Sequence, residues 1–323
     1  MTRQEAQTQF LEEAEPALKQ GEEAFARELE NQMGKLAETL KEAFSGLRRE
    51  AERLEKEKLM FFHISLLRTG IEQQTWQALL QALDARWYLD TEPAQVWFSL
   101  DFLFPMYGAI QKELMQKCRK YMGKINSYDV GHLIAESVMK CNSLLAQQAR
   151  YMFRDIEEYG EFAAMEKNPV WAVYWGEYRD ASELVVCVNR EAKSQKDFER
   201  ALRQTENEPA SMLLSYWYGA ELKGADCGGK QLYFVQFEDC DLRNIIFDGS
   251  VLTGARFRNC RIQDCSFRDA HLRQADFQGC TWKDNDFSGA DMRNAVFMEQ
   301  ELPFLHLDPE QLQVILVDRR HGE

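Results

Sequence analysis

Residues 255–279 read ARFRN CRIQD CSFRD AHLRQ ADFQG. The third residue of each pentad is large and apolar, and the same rule holds without exception over residues 232–302. A period of five matches neither the roughly 3.6-residue period of an α-helix nor the alternation of an ordinary strand. It suits a chain that turns one corner per pentad and directs one large side chain at a common axis. The sequence therefore predicts a solenoid in this region.

A smaller residue stands two positions before each large one. The series reads Cys240, Ile245, Ser250, Ala255, Cys260, Cys265, Ala270, Ala275, Cys280, Asn285, Ala290 and Ala295. These residues fit inward beside the corners, where little volume is left. The other three positions of each pentad are mostly polar, which indicates that they face water.

Residues 275–279 (ADFQG) and 290–294 (ADMRN) resemble the consensus of the pentapeptide-repeat family, Ala-(Asp/Asn)-Leu-x-x. The resemblance covers about residues 220–305. It implies a right-handed quadrilateral β-helix with about twenty residues in each coil. We therefore expect an α+β chain in two parts, an all-α N-terminal region followed by this β-helix.

Residues one coil apart should stack at about one strand spacing, ~4.8 Å. One predicted column comprises Phe247, Phe267 and Phe287, and one on the opposite wall comprises Phe237, Phe257, Phe277 and Phe297. A thiol column should comprise Cys240, Cys260 and Cys280. The eight cysteines show no Cys-x-x-Cys motif and no zinc spacing, so we expect buried reduced thiols.

The formal net charge of −14 argues against non-specific binding to nucleic acid or anionic lipid. The N-terminus has no apolar signal core, and no apolar run approaches the ~20 residues of a membrane span. We therefore expect a cytoplasmic, bacterial protein that neither crosses a membrane nor binds nucleic acid directly.

Apolar residues recur at steps of three and four between Phe25 and Leu54, which predicts a long helix over residues 4–58. One interpretation is an amphipathic helix packed on its own domain. The other is a coiled-coil arm for homo-oligomerisation or partner binding, although the spacing is not a strict heptad.

Residues 59–205 are rich in apolar and aromatic side chains, which predicts a globular helical domain. We expect helices near residues 108–121, 128–159 and 194–204, and leave residues 170–188 open between helix and strand. An aromatic groove for a partner is the functional alternative to a filled core, with Trp87, Trp97 and Phe98 as candidate contacts.

The remaining boundaries follow from these assignments. Residues 206–219 should form a linker and N-terminal cap, residues 220–305 the β-helix, and residues 306–323 a capping helix and tail. Asp308 followed by Pro309 is a favourable helix start.

The sequence contains no phosphate loop, Gly-x-Ser-x-Gly or His-Glu-x-x-His motif. His63 lies in an apolar run, where a core histidine is the plainest interpretation. We predict no catalytic residue, no metal site and no cofactor.

The leading functional hypothesis is a non-catalytic adaptor or scaffold, serving for example a secretion, toxin-delivery or regulatory complex. Candidate partner-binding residues on the solenoid are Arg258, Arg268 and Arg273. The resemblance also implies a second functional hypothesis, because some members of the family mimic DNA and bind gyrase. The many arginines of this solenoid, however, make its surface a poor mimic of a polyanion. The third hypothesis is an enzyme or ligand-binding domain in residues 59–205, with the solenoid as a targeting appendage.

Overall fold

A computed structural model describes residues 1–319, apart from the side chain of Glu72. The chain divides into two compact units, Met1–Val186 and Cys187–Glu323. Residues 187–205, which we assigned to the N-terminal helical domain, thus belong to the unit that contains the pentads. The last four residues of the predicted C-terminal tail lie outside the described part.

The helices are α1 (Arg3–Arg53), α2 (Arg68–Glu72), α3 (Tyr107–Cys118), α4 (Ser127–Met152), α5 (Gly160–Ala163), α6 (Gln195–Gln204) and α7 (Pro309–Val314). The strands of the first unit are β1 (Leu59–Leu66), β2 (Gln77–Leu83), β3 (Ala94–Ser99), β4 (Lys167–Glu177) and β5 (Ser182–Asn189), the last of which ends in the second unit. The strands that follow are β6 (Tyr216–Tyr218), β7 (Glu221–Lys223), β8 (Gln236–Glu238), β9 (Asp241–Arg243), β10 (Arg256–Arg258), β11 (Arg261–Gln263), β12 (Thr281–Lys283), β13 (Val296–Met298) and β14 (Leu316–Asp318).

The prediction of an all-α N-terminal region is wrong, because this part of the chain contains a five-stranded sheet. The strand order is β3-β2-β1-β4-β5, with β1 antiparallel to β2 and parallel to β4. Leu79, Leu80 and Leu83 have helical spacing in sequence but lie in β2. The open region 170–188 forms most of β4 and β5.

One face of this sheet, which we call the helix face, packs against α1 and α4. Phe62 on β1 contacts Phe162, which in turn contacts Phe44 of α1 with ring centroids 5.4 Å apart. Trp175 on β4 donates its indole N–H to Asn142 of α4 at 2.8 Å. These contacts bury the core of the first unit between the sheet and its helices.

The long predicted helix is present as α1, and its apolar stripe is buried within its own unit from Ala6 to Ala51. Gly21 allows close approach to α3, since an added Cβ would lie 2.5 Å from Ile110 Cδ1. The structure thus favours the packed-helix interpretation over the coiled-coil arm. The predicted helices near residues 108–121 and 194–204 are also observed, whereas the one over 128–159 ends as α4 at Met152.

The second unit is a stack of coils in which each pentad pairs with the pentad twenty residues later. Phe237 lies in parallel register with Phe257, and Leu242 with Ile262. Isolated parallel bridges join Ile246 to Ser266 and Val251 to His271, which gives the other two sides of the coil. Four pentads therefore make one coil of a β-helix.

A left-handed residue turns the corner in each pentad, at the position just before the small inward residue. The series includes Gly249 (φ +61°), Gly254 (φ +68°), Asn259 (φ +52°) and Asp264 (φ +52°). Glycine, asparagine and aspartate tolerate this conformation better than other residues. Phe234 (φ +55°) is an unusual occupant of the same position.

The large inward side chains form columns along the axis. The rings of Phe247 and Phe267 lie 4.9 Å apart and those of Phe267 and Phe287 also 4.9 Å apart, each pair being nearly parallel. Phe257 stacks on Phe277 at 4.8 Å, and Phe277 on Phe297 at 4.9 Å. The two columns meet edge-to-face across the axis, with the rings of Phe257 and Phe267 6.1 Å apart.

The small inward residues satisfy backbone carbonyls of the preceding coil. The thiols of Cys260 and Cys280 donate to the carbonyls of Phe237 and Phe257 at 3.4 Å and 3.2 Å. Asn285 fills the same slot and donates to Ile262 O at 2.9 Å. All eight cysteines are free thiols.

Each end of the stack is covered by a helix. At the first coil Phe198 of α6 packs edge-on against Trp217, with ring centroids 4.9 Å apart. Trp217 lies in β6, so residues we predicted as a cap form part of the first rung. At the other end α7 begins at the predicted Asp308 cap, and Gln311 donates to Phe287 O at 2.7 Å.

Phe267→Ala removes a fully buried ring from the middle of a column, so we expect it to lower the free energy of unfolding by ~3–5 kcal/mol. Urea unfolding followed by circular dichroism measures the change. The matched control is Phe304→Ala, because Phe304 is 58% exposed. Equal effects of the two substitutions would contradict the interior column.

Substituting alanine at Gly254 and at Gly249 separates the cost of a left-handed backbone from the cost of a side-chain clash. Both place alanine at a positive φ, which costs roughly 1–2 kcal/mol. At Gly254 the new Cβ would also lie 2.4 Å from the Phe234 ring, whereas at Gly249 no atom lies within 4 Å. Thermal denaturation should show the larger loss for Gly254→Ala, and the reverse order would refute this geometry.

Candidate functional site: a groove beside the first helix

One concave surface of the first unit is a groove between α1 and the segment that follows α4. Its cavity has a volume of about 450 Å³, within the range of roughly 300–1,000 Å³ usual for binding sites. The floor is apolar, formed by Leu40, Phe44, Phe153 and Phe162, all of which are buried. We call this cavity, together with the next one along α1, the α1 groove.

The second part of the α1 groove is a cavity of about 230 Å³ at the C-terminal end of α1. Of the α1 residues that line the two cavities, five form one stripe at steps of three and four: Ala37, Lys41, Phe44, Arg48 and Ala51. Residues at this spacing share one face of a helix. The two cavities therefore lie one after the other along about 21 Å of the helix, and Glu55 follows just beyond its end.

The groove arises where α4 ends. The chain leaves α4 at Met152, turns through a short 3-10 helix at Ile156–Glu158 and returns as α5. Phe44 touches Phe153 on one side and Phe162 on the other, with ring centroids 5.6 Å and 5.4 Å apart. Tyr159 is fixed at the rim because its hydroxyl donates to Met152 O at 2.7 Å.

The rim of the α1 groove is mostly acidic. Arg48 donates to Glu52 at 2.8 Å and to Glu161 at 3.1 Å, and the hydrogen bond to Glu52 is the main reason its pKa is raised. Lys56 forms an ion pair with the buried carboxylate of Asp90, with Nζ and Oδ1 2.8 Å apart.

Four further carboxylates line the groove without an ion-pair partner among residues 1–319. These are Glu38, Glu55, Glu57 and Glu166. Lys41 is the one lining cation in that described range that is likewise unpaired. The surface thus combines an apolar floor with a net negative rim.

The three aromatic residues predicted to contact a partner are not brought together. Trp97 and Phe98 are neighbours on β3 and point to opposite faces, so Trp97 is 52% exposed while Phe98 is buried on the helix face. Trp87 lies in the connection between β2 and β3 and packs against Phe61, with ring centroids 3.8 Å apart. None of the three lines the α1 groove.

Trp87 belongs instead to an aromatic cluster around His63. The imidazole stacks on Tyr174 with ring centroids 5.1 Å apart, and the hydroxyl of Tyr88 lies 3.5 Å from Nε2. His63 is almost fully buried, and burial lowers its pKa from 6.5 to about 4. A neutral imidazole packed among aromatic rings matches the core-histidine interpretation.

The predicted solenoid arginines differ in their surroundings. Arg258 is mostly buried and lies 3.4 Å from the buried carboxylate of Asp276. Arg268 and Arg273 are about half exposed, and each forms a 2.6 Å ion pair with an aspartate of the neighbouring coil, Asp248 and Asp291 respectively.

Within the described residues no group of three or more His, Cys, Asp or Glu side chains is placed to hold a metal ion. In the same range no helix is long and apolar enough to cross a membrane. The α1 groove is lined by neither histidine nor cysteine.

Sequence reasoning missed the α1 groove. The stripe of α1 was visible, but its uncovered part depends on where α4 ends and how α5 returns. One signal was available in the sequence, namely the acidic residues Glu55 and Glu57 directly after the apolar stripe of the predicted helix.

Residues 230–307 match the family model described as a pentapeptide repeat region. This confirms the resemblance for that part of the chain, and the N-terminal region is not matched. No curated protein sequence matches the chain.

Solved structures with local similarity are also pentapeptide repeat proteins. HetL, which is involved in heterocyst differentiation regulation in the cyanobacterium Nostoc sp. strain PCC 7120, is 22% identical over 25% of this chain and 38% of its own, with a TM-score of 0.25. This chain thus spans well under half the length of HetL. A protein of the Arabidopsis thaliana thylakoid lumen is 25% identical over 29% of this chain and 72% of its own, with a TM-score of 0.21. QnrB1, a plasmid-mediated fluoroquinolone resistance protein, is 14% identical over 32% of this chain and 84% of its own, with a TM-score of 0.15.

The burial of His63 predicts a pH dependence of stability. Its folded pKa of about 4 is below 6.5, so the unfolded chain takes up a proton first as the pH falls. The free energy of unfolding is therefore highest, as far as His63 is concerned, above pH 6.5. It falls as the pH is lowered towards 4, by a total on the order of 3 kcal/mol.

His63→Phe keeps an aromatic ring against Tyr174 and removes the titration. We expect this variant to lose less stability than the native protein between pH 6.5 and pH 4 in urea unfolding series. The exposed His132→Gln is the control. Parallel stability curves for the native protein and His63→Phe would contradict the assignment.

Proposed function

We propose that this protein, whose residues 230–307 form a pentapeptide repeat region, is a non-catalytic protein-interaction module that acts as an adaptor or scaffold. We also infer that the β-helix is right-handed and quadrilateral, as the resemblance implies. On this proposal the solenoid supplies a rigid docking surface, and the first unit offers a separate surface of its own.

The observation that carries the proposal is the fixed arrangement of charges on the outside of the coils. Arg268 reaches one coil back to Asp248, and Arg273 reaches forward to Asp291, which also accepts from Arg293. These side chains are exposed but already oriented. A partner that binds them therefore loses less side-chain entropy than it would on a flexible surface.

The same pairs weigh against a mimic of duplex DNA. A polyanion presents one sign of charge along its length, whereas these coils alternate arginine and aspartate within hydrogen-bonding distance. Arg243 and Asp241 on another side of the coil repeat the pattern at 2.8 Å. A mixed surface of this kind favours a protein partner with complementary charges of both signs.

The lining of the α1 groove is suited to binding a peptide segment. Among residues 1–319 the α1 groove is lined by carboxylates, one unpaired lysine and an apolar floor, and none of the lining residues is a nucleophile held against a base. The buried His63 contacts aromatic rings.

Affinity capture from the source cells tests the proposal with the full chain. The variant is Arg268→Glu with Arg273→Glu, which reverses two exposed charges beside Asp248 and Asp291. We expect the native protein to retain at least one partner in stoichiometric amount and the double variant to lose it, while its circular dichroism spectrum is unchanged.

Arg243→Glu is the matched control, because it reverses a paired arginine on a different side of the coil. Retention of the same partner by the control places the docking surface on the two sides of the coil that carry Arg268 and Arg273. Capture of no stoichiometric protein by the native chain, or identical capture by all variants, would overturn this function for the solenoid.

A further inference from the structure

We propose that the α1 groove binds a basic amphipathic helix of a partner protein. The proposal deepens the adaptor function and rests on it, since it assigns a second docking surface to the first unit and states the chemistry of its occupant. The surface combines three properties, a track of two successive cavities along one helix, an apolar floor and an acidic rim.

The shape of the track suits a helix. The stripe from Ala37 to Ala51 follows α1, and its apolar members Ala37, Phe44 and Ala51 are seven residues, or about two helical turns, apart. A helix laid along such a groove places its own residues i, i+3 or i+4, and i+7 on this floor. The deepest part lies over Phe44, between Phe153 and Phe162.

The charges of the rim select a basic occupant. Glu38 lies at one end of the track and Glu55, Glu57 and Glu166 lie at the other, and none of these four has an ion-pair partner among residues 1–319. Lysine or arginine on both sides of an apolar stripe would neutralise them. Such pairing steers association and fixes the register of the bound helix.

The same charges disfavour other occupants. A fatty acid would bring a carboxylate to a rim that is already negative. A second copy of this chain carries a net charge of −14 and would be repelled at low salt. Charge complementarity therefore points to a cationic peptide segment.

The central ion pair divides the track and fixes where apolar side chains enter. Arg48 bridges Glu52 and Glu161 at the junction of the two cavities. An apolar side chain of the partner helix would enter the 450 Å³ cavity over Phe44, and a second would enter the 230 Å³ cavity next to Ala51. The partner helix therefore needs two apolar anchors separated by about two turns, with basic residues beside them.

The test uses the full chain and a fluorescein-labelled peptide of about 18 residues, with leucine on one face and lysine on the other, a length that spans about 27 Å as a helix. Fluorescence anisotropy measures its affinity. A matched peptide with glutamate in place of lysine should bind at least about tenfold more weakly, and binding of the lysine peptide should weaken as salt rises.

Two variants test the charge and the shape of the site separately. Glu38→Lys with Glu55→Lys reverses the rim and should weaken binding of the lysine peptide about tenfold. Ala37→Trp leaves the charge unchanged and fills the track from an exposed position, so it should also weaken binding. Glu30→Lys, on an exposed turn of the same helix outside the track, is the control and should bind like the native protein after allowance for net charge.

Equal affinity of the native protein, the rim variant and Ala37→Trp would overturn the assignment of the groove. That result would leave the solenoid capture experiment to decide the adaptor function by itself. Conversely, loss of peptide binding in both groove variants supports the groove even if the solenoid variants capture the same proteins as the native chain.

Discussion

The stacking of each inward side chain on its equivalent twenty residues later is the interaction on which the second unit depends. A single coil cannot bury Phe267, but the rings of Phe247 and Phe287 above and below it can. The same twenty-residue offset aligns the backbone bonds, so that Phe247 N–H donates to Ser266 O at 2.7 Å, and it places Cys260 Sγ under the carbonyl of Phe237. One left-handed corner per pentad keeps that offset constant.

The exposed side chains of the stack follow the same twenty-residue repeat. Because the backbone repeats about one strand spacing per coil, Arg268 lies one coil from Asp248 and forms an ion pair with it at 2.6 Å. The exposed charges are therefore held in a regular array, and the proposed docking role rests on that array. The first unit works differently, since its groove depends on the ends of α4 and the return of α5 over Phe44 rather than on a repeat.

The sequence predicted those parts of the fold that a short stretch of residues determines by itself. The columns of Phe257 and Phe267 follow from a strict period within one short segment, and the structure places them as that period requires. The corner residues carried a further signal, because Gly, Asn or Asp precedes most of the small inward residues. The sheet of the first unit was missed because β1 is apolar on both faces and Leu79, Leu80 and Leu83 also fit a helix. Trp97 and Phe98 were grouped by adjacency, although neighbouring residues of a strand face opposite ways.

A double-mutant cycle on Phe247→Leu and Phe267→Leu tests the central claim most directly. The account predicts a coupling free energy of about 0.5–1.5 kcal/mol for this pair, as for stacked aromatic rings in contact. Phe247 and Phe297, two and a half coils apart, should show additive effects. Additivity for Phe247 and Phe267, or equal coupling in both pairs, would contradict a coil that repeats every twenty residues.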